Sequence, residues 1–217
     1  MDRMRIDPAG WPFILAAALA ALAAGWAGYL WAAAALAVLA AFFLFFFRDP
    51  DRRTTAAGDE VVSPADGRVV VAGPADAAAA PPGDWAQISI FLSPMDVHIN
   101  RVPIGGRVRK VEYRPGKFLP AYRREAAADN ERNEVWIDHG GHTIVCRQVV
   151  GVLARRIVCR VGEGADLQTG QRFGVMKFGS RIDLFLPPAS TLRVAAGDRV
   201  EAGITVVAVL PAAPGRH

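Results

Sequence analysis

The residues able to do chemistry in this chain are scattered singly, and each has an ordinary reading beside a reactive one. The stretch Phe173-Gly174-Val175-Met176-Lys177-Phe178-Gly179-Ser180-Arg181-Ile182-Asp183 joins apolar and basic residues to a strand-like run through a Gly-Ser pair. A Ser hydroxyl is a weak nucleophile until a base takes its proton, and its attack on the carbonyl just before it exchanges an amide for an ester. A preceding glycine, lacking Cβ, lets the backbone bring Oγ onto that carbonyl at low steric cost. Gly-Ser is also a common turn, and taken alone the pair reads as one. Asp66, in Pro64-Ala65-Asp66-Gly67, reads alone as a turn carboxylate. His98 is a lone imidazole in an apolar stretch; its ordinary pKa of about 6.5 suits proton transfer, and its ordinary role is that of a hydrogen-bonded core residue. His139 and His142 have a spacing that can hold a metal, but they flank Gly140-Gly141, a hairpin signature, with no third ligand nearby, so no metal site is expected. Cys146 and Cys159 lie 13 apart with no second cysteine pair. They read as buried thiols of a reduced compartment.

The elements that must position these residues fall into two parts of different composition. Residues 11–47 run for 37 positions without one Asp, Glu, Lys, Arg or His, and nearly all the charge lies in the body that follows. A helix rises about 1.5 Å per residue and the hydrocarbon core of a bilayer is about 30 Å thick, so the run predicts two passes rather than one. Gly25-Trp26-Ala27-Gly28 is the natural turn, with Arg3 and Arg5 before the run and Arg48, Arg52 and Arg53 after it. Cations at both ends predict a membrane-embedded helical hairpin over 1–50, with the body 51–217 on the cytoplasmic side of the cell (inner) membrane. A shallow re-entrant hairpin is an alternative, because the first half is mostly Ala. A secretory signal is a poorer one: the run exceeds an ordinary h-region and no small-residue cleavage site precedes a mature domain. The net charge of +4 suits anionic lipid headgroups, and the sequence contains no nucleic-acid module.

In the body, short runs rich in β-branched and aromatic residues occur at 68–71, 86–92, 107–113, 134–137, 143–152, 156–161 and 182–186, separated by Gly, Pro and Asp. They predict a mainly β fold. The Ala/Pro-rich segment 75–84 reads as an exposed connection. Two internal repeats are visible. Pro64-Ala65-Asp66-Gly67-Arg68-Val69 recurs as Pro103-Ile104-Gly105-Gly106-Arg107-Val108, and Gly164-Ala165-Asp166-Leu167-Gln168-Thr169-Gly170 recurs as Gly197-Asp198-Arg199-Val200-Glu201-Ala202-Gly203. Each sets a Gly turn beside a short apolar strand, which predicts a barrel-like sandwich of hairpins resembling the hammerhead halves of biotinyl and lipoyl domains.

Four ordered elements carry a closer resemblance. They are Ser63-Pro64-Ala65-Asp66-Gly67, Phe91-Leu92-Ser93-Pro94-Met95-Asp96-Val97-His98, Asn130-Glu131-Arg132-Asn133 and Phe178-Gly179-Ser180, spread over more than 110 residues. In these the chain resembles the short form of the phosphatidylserine decarboxylase family, a family of pyruvoyl-dependent carbon-carbon lyases. The resemblance implies a proenzyme cut between Gly179 and Ser180 into fragments of 179 and 38 residues, which stay together as a heterodimer. It implies that Ser180 becomes a covalent pyruvoyl (pyruvate) group, with no separately bound cofactor. The ketone would form a Schiff base with the amine of phosphatidylserine and accept the electrons left when CO2 departs, giving phosphatidylethanolamine. Asp66 is implied to help the cut by orienting or activating a His near Ser180, and His98 to assist decarboxylation by proton transfer. Asn130, Glu131 and Arg132 are placed at the substrate pocket, closing or bracing it, although the residues alone allow a plain surface loop.

The chain departs from the family pattern twice. Larger members carry a second His three positions after the first, a candidate base for the cut; here that position is Arg101, which leaves His98 to serve both steps. Larger members have Gly-Ser-Thr at the cut and this chain has Gly-Ser-Arg. Arg181 is a candidate for a bidentate contact to the lipid phosphate or carboxylate, or a solvated strand residue. Residues 116–124 mix bulky apolar side chains with cations, which suits a loop dipping into the headgroups of membrane lipids, or one packed on the body. Two rival functions remain open. One is a carrier domain modified at Lys177, which lacks the second Met usual after such a Lys and leaves Asp66 and His98 unexplained. The other is a non-enzymatic membrane adaptor with hammerhead halves and no cut.

Overall fold

The computed structural model describes residues 4–121, 126–151, 157–177 and 179–213, and the chain divides into two units, 1–51 and 52–217. In the first unit, β1 (Met4–Ile6) leads into two apolar helices, α1 (Trp11–Trp26) and α2 (Leu30–Phe46), followed by β2 (Arg48–Pro50). The reversal lies at 27–29, at the end of the expected turn. The helices run antiparallel, with the Phe13 ring 5.6 Å from those of Phe43 and Phe47, and β1 pairs with β2 to close the base. Leu22, Trp26 and Trp31 are exposed, so apolar side chains cover the outside of the pair. Pro8–Trp26 is one helical stretch long and apolar enough to cross a membrane, whereas α2 is shorter, at 17 residues.

The second unit is mainly β. Its strands are β3 (Glu60–Val62), β4 (Gly67–Pro74), β5 (Ala86–Leu92), β6 (Ile99–Arg101), β7 (Gly106–Arg114), β8 (Arg132–His139), β9 (His142–Val149), β10 (Ile157–Cys159), β11 (Asp166–Leu167), β12 (Arg172–Met176), β13 (Ser180–Leu186), β14 (Thr191–Leu192), β15 (Arg199–Val200) and β16 (Val206–Val209), with a short α3 (Ala126–Asp129) before β8. Eight of them form one antiparallel sheet in the order β11-β7-β8-β9-β13-β5-β4-β15. Two three-stranded sheets, β10-β12-β6 and β14-β16-β3, complete the unit.

Alternation along the strands gives the large sheet two unlike faces. Ile88, Ile90 and Leu92 of β5 and Ile182, Leu184 and Leu186 of β13 join one apolar core with Phe173, Met176, Val102 and Val207 from outside the large sheet. Each such side chain contributes about 1.5–3 kcal/mol by leaving water. The residues between them face the other way and include the buried polar side chains of Ser89 and Asp183 beside Phe91 and Phe185. Arg147 holds Glu134 at 2.8 Å, and Arg181 holds Asp183 at 2.5 Å. The segment 75–84 contributes here, because the Ala79 carbonyl accepts from Arg147 at 2.5 Å. Trp85, just after it, packs edge-on against Trp136 and Phe185. The stretch expected only as an exposed connection therefore also caps a buried charge.

The internal repeats lie toward opposite ends of the large sheet. Gly67 and Arg68 of β4 pair with Val200 and Arg199 of β15, while Gly106 and Arg107 of β7 pair with Leu167 and Asp166 of β11. Equivalent residues meet in equivalent register, so the sheet repeats itself internally.

Candidate active site

Ser180 opens β13, where it pairs with Leu92 at the end of β5. On the other side of the link, Val175 of β12 pairs with Ile99 of β6, and the Met176 N–H donates to the His98 carbonyl at 3.3 Å. The connections 93–98 and 177–179 therefore run between the same two sheets, one delivering His98 and the other Ser180. Alternation fixes which way they point. Ser180 shares a face of β13 with Ile182, which pairs with Gln148 of β9, and Gln148 donates to Asn100 of β6 at 2.8 Å. Ser180 precedes Ile182 by two residues and His98 precedes Asn100 by two, on the same side of that contact. Hydroxyl and imidazole thus sit at the ends of two links between the same sheets, and both residues are fully buried.

Ser180 is 0% exposed, and its Oγ has no hydrogen-bond partner among the described residues. A buried hydroxyl in that state costs about 1–3 kcal/mol, so the fold carries a polar atom that it does not use for stability. Gly179 has a φ of 69°, in the left-handed region where a side chain is strained, although a Cβ there would meet nothing within 4 Å. Phe178 lies outside the described residues. His98 is fully buried and its Nδ1 is 3.0 Å from the Asp96 carbonyl. A carbonyl only accepts, so Nδ1 carries the proton of the neutral ring and Nε2 is the basic nitrogen.

Asp66 sits just before β4 and is tied down elsewhere. Its carboxylate accepts from both terminal nitrogens of Arg52, at 2.5 and 2.8 Å, and from the Ala202 N–H at 2.8 Å. Those bonds do not run to His98, so the structure does not join Asp66 directly to the Ser180–His98 pair. The link is through the backbone: the Pro64 carbonyl accepts from the Arg101 N–H at 2.9 Å, and Arg101 ends the strand that follows His98. Arg101 itself is buried and donates to the Gly170 carbonyl at 3.0 Å.

The expected substrate-binding residues all make contacts within the chain. Arg181 lies on the face of β13 opposite Ser180, where it pairs with Asp183 and donates to Ser89 Oγ at 3.0 Å. The Asn130 side chain accepts from the Leu119 N–H at 2.9 Å and donates to the Leu119 and Val150 carbonyls at 2.8 Å each, so both its amide protons are used within the chain. Glu131 is buried and accepts from Tyr113, whose hydroxyl is held above its usual pKa by desolvation and by that carboxylate. Arg132 donates to the Ala128 carbonyl at 2.5 Å and lies 3.6 Å from Glu134; burial first, then the Arg147 charge, lowers its pKa from the usual guanidinium value.

Other residues singled out in the sequence lie apart from this region. His139 and His142 face each other across the 140–141 turn, with ring nitrogens 2.6 Å from the Gly105 carbonyl and 3.0 Å from the Pro211 carbonyl. Cys146 and Cys159 are free thiols, and burial pushes the Cys146 pKa far up. Lys177 is half-buried on a link between two different sheets, not at a hairpin tip. In the 116–124 loop Lys117 pairs with Asp129 at 2.9 Å and Phe118 is exposed, while 122–124 lie outside the described residues. Sequence reasoning missed Gln148 and Asn100, which meet through partners distant in the chain, and nothing local marks them. Arg52 stood out only as a cation beside the apolar run.

Fold and site together define a class: a mainly β unit with a buried Ser hydroxyl and a buried His ring on two links between the same sheets, in a chain whose N-terminal unit carries an apolar helix. Residues 39–208 match the family model for phosphatidylserine decarboxylase, and the chain belongs to that family. A phosphatidylserine decarboxylase proenzyme of Burkholderia mallei (strain SAVP1) is 44% identical over 211 residues, covering 94% of this chain and 95% of the relative. The proenzyme of the same description from Nitrosomonas europaea is 44% identical over 203 residues, covering 92% of each, and that of Aromatoleum aromaticum is 43% identical over 204 residues, covering 93% and 94%. The chain is accordingly a decarboxylase.

Proposed function

We propose that this chain is a membrane-attached proenzyme that cuts itself between Gly179 and Ser180 and then decarboxylates phosphatidylserine to phosphatidylethanolamine. Ser180 carries this reading: fully buried, with an Oγ that makes no hydrogen bond among the described residues, it follows a left-handed glycine on a link between the same two sheets as the one that carries His98. In the cut, His98 Nε2 takes the Oγ proton and Oγ adds to the Gly179 carbonyl carbon. The peptide C–N bond then breaks, the nitrogen takes a proton, and an ester joins Gly179 to Oγ. Removal of the Ser180 Cα proton expels the Gly179 carboxylate and leaves a carbon-carbon double bond between Cα and Cβ. Water adds as ammonia leaves, so the new N-terminus is a ketone. The fragments 1–179 and 180–217 stay paired because β13 lies between β9 and β5.

Position 180, buried and on the side of the sheet that faces β6, fits a pyruvoyl group. When present, that group supplies a carbonyl for the substrate amine and an electron sink for the carbon-carbon bond that breaks. His98, the imidazole directed into the same region, holds or delivers the proton that replaces CO2. Asp66 is a positioning residue: held by Arg52, it fixes the loop whose Pro64 carbonyl pins the strand after His98. Asn130, Glu131 and Arg132 shape the pocket wall, and Arg181 supports β13 from behind. The apolar hairpin keeps the body, on the cytoplasmic side, at the membrane that holds the lipid, and Phe118 dips into the headgroup layer. The repeated sheet supports descent from duplicated hammerhead-like halves.

Denaturing electrophoresis with intact-mass measurement tests the reading. The purified protein should give two chains split before Ser180, the smaller one blocked at its N-terminus, and Ser180→Ala should give one uncut, inactive chain of 23.2 kDa. An active protein that remains a single chain with its serine intact overturns it.

A further inference from the structure

We infer that Gly151 is a positioning residue for the self-cleavage: it leaves the space in which the Gly179 carbonyl is held toward Ser180 Oγ, and Asn130 fixes Gly151 there through Val150. The inference rests on the reading of Gly179–Ser180 as the bond that is cut. The ladder between β9 and β13 ends with Val149 opposite Arg181. Continued two steps in antiparallel register, it sets Gly151 opposite Gly179. A Cβ on Gly151 would overlap the Gly179 carbonyl oxygen and lie 3.1 Å from its carbon, which are the two atoms of the bond under attack. A backbone carbonyl cannot swing aside as a side-chain tip can.

The two glycines have different tasks. Gly179 has room for a Cβ but a φ that disfavours one, whereas Gly151 lies outside the left-handed region, so space alone requires glycine there. The surroundings give Gly151 little freedom to retreat. The Val150 carbonyl accepts from Asn130 at 2.8 Å and the Val150 N–H donates to the Glu131 carbonyl at 3.1 Å, while Asn130 is fully buried and bonded to both backbone groups of Leu119. A methyl group on Gly151 must therefore rotate the 179–180 peptide. A misplacement of about 1 Å at a reacting centre costs about a hundredfold in rate.

The test measures the rate of appearance of the two fragments from newly made full-length chain, with and without hydroxylamine, which splits the ester intermediate. Gly151→Ala, like the Gly106→Ala control below, should melt lower, and its folded fraction should cut about a hundredfold more slowly, with no acceleration by hydroxylamine because the ester does not form. Gly179→Ala, strained but unobstructed, should cut about tenfold more slowly. Gly106→Ala is the control: its Cβ would also meet a backbone carbonyl, that of Asp138, at the far end of the sheet. It should melt lower yet cut at the wild-type rate in its folded fraction. Should Gly151→Ala fail to fold, Asn130→Asp keeps the acceptor for Leu119, loses both donated bonds, and should slow the cut at least tenfold. Wild-type cutting by folded Gly151→Ala, hydroxylamine-released fragments from it, or wild-type cutting by Asn130→Asp overturns the inference alone. A wild-type chain that is never cut removes the Ser180 reading with it.

Discussion

Removing the hydroxyl of Ser180 should make the uncut protein more stable. Oγ is buried and has no partner among the described residues, so it pays a desolvation penalty of about 1–3 kcal/mol without return. Alanine removes that penalty and forfeits only a few atom contacts of about 0.1–0.2 kcal/mol each. The net gain is about 1–2 kcal/mol, which in a domain of this size raises the melting temperature by about 2–8 °C. Wild type is a poor reference because, on the proposed reading, it cuts itself. The comparison is therefore made in an Asp66→Asn background, expected to stay uncut: Asp66→Asn against Asp66→Asn/Ser180→Ala, melted in the same detergent and followed by circular dichroism. A double variant that melts lower than the single one by a few degrees would show that Oγ makes a stabilising bond in the proenzyme, and the picture of a hydroxyl held unsatisfied for attack would fail.

Two other groups give predictions away from the cut. Glu134→Gln leaves the Arg147 charge, 2% exposed, without its carboxylate, and should destabilise the mature protein by about 3 kcal/mol, read as a lower urea midpoint; an unchanged midpoint contradicts the buried pair. Burial raises the Cys146 pKa above its unfolded value, so the stability gained from keeping that thiol neutral is full below the ordinary thiol pKa of about 8.5 and is lost as pH rises beyond it toward the folded value. Wild type should therefore lose stability more steeply than Cys146→Ala between about pH 8.5 and 10.5 in urea titrations, and equal slopes would count against it.

The sequence made the strands legible where alternation was regular, as in β5, and the hairpin at Gly140-Gly141 followed from its turn residues. It was less informative at 173–183, because Gly174 and the mixed polar residues hid β12, and β13 was read from Ile182 rather than from Ser180. That offset mattered. Once the strand begins at Ser180, period-two alternation places Arg181 on the opposite face, where it pairs with Asp183. Asn130 shows a different limit: its type suits either a ligand or a brace, and the partners it bonds, the Leu119 backbone and the Val150 carbonyl, lie 11 and 20 residues away where no local pattern marks them. The approach of Gly151 to Gly179 joins two segments far apart in sequence, and residue type could not announce it.

The internal repeat separates what the fold requires from what the site adds. At the β4–β15 seam Asp66 accepts from the Ala202 N–H, whereas at the equivalent β7–β11 seam the polarity is reversed and the Gly105 N–H donates to Thr169 Oγ1 at 2.8 Å. A Cβ on Gly105 would lie 2.9 Å from the Leu167 carbonyl, so the second seam closes with neither a charge nor room for one. A carboxylate is thus not demanded by the architecture, and in the first copy it has to be neutralised by Arg52, each side chain of the pair being 12% exposed. Asp66→Asn separates the two roles, because asparagine still offers an oxygen to Ala202 but gives up the charged pair. If Asp66 serves only the seam, the folded variant should cut normally. If the Arg52–Asp66 pair holds the 64–66 loop against the strand after His98, it should stay folded and remain largely uncut on denaturing gels, and normal cutting would return Asp66 to a purely architectural role.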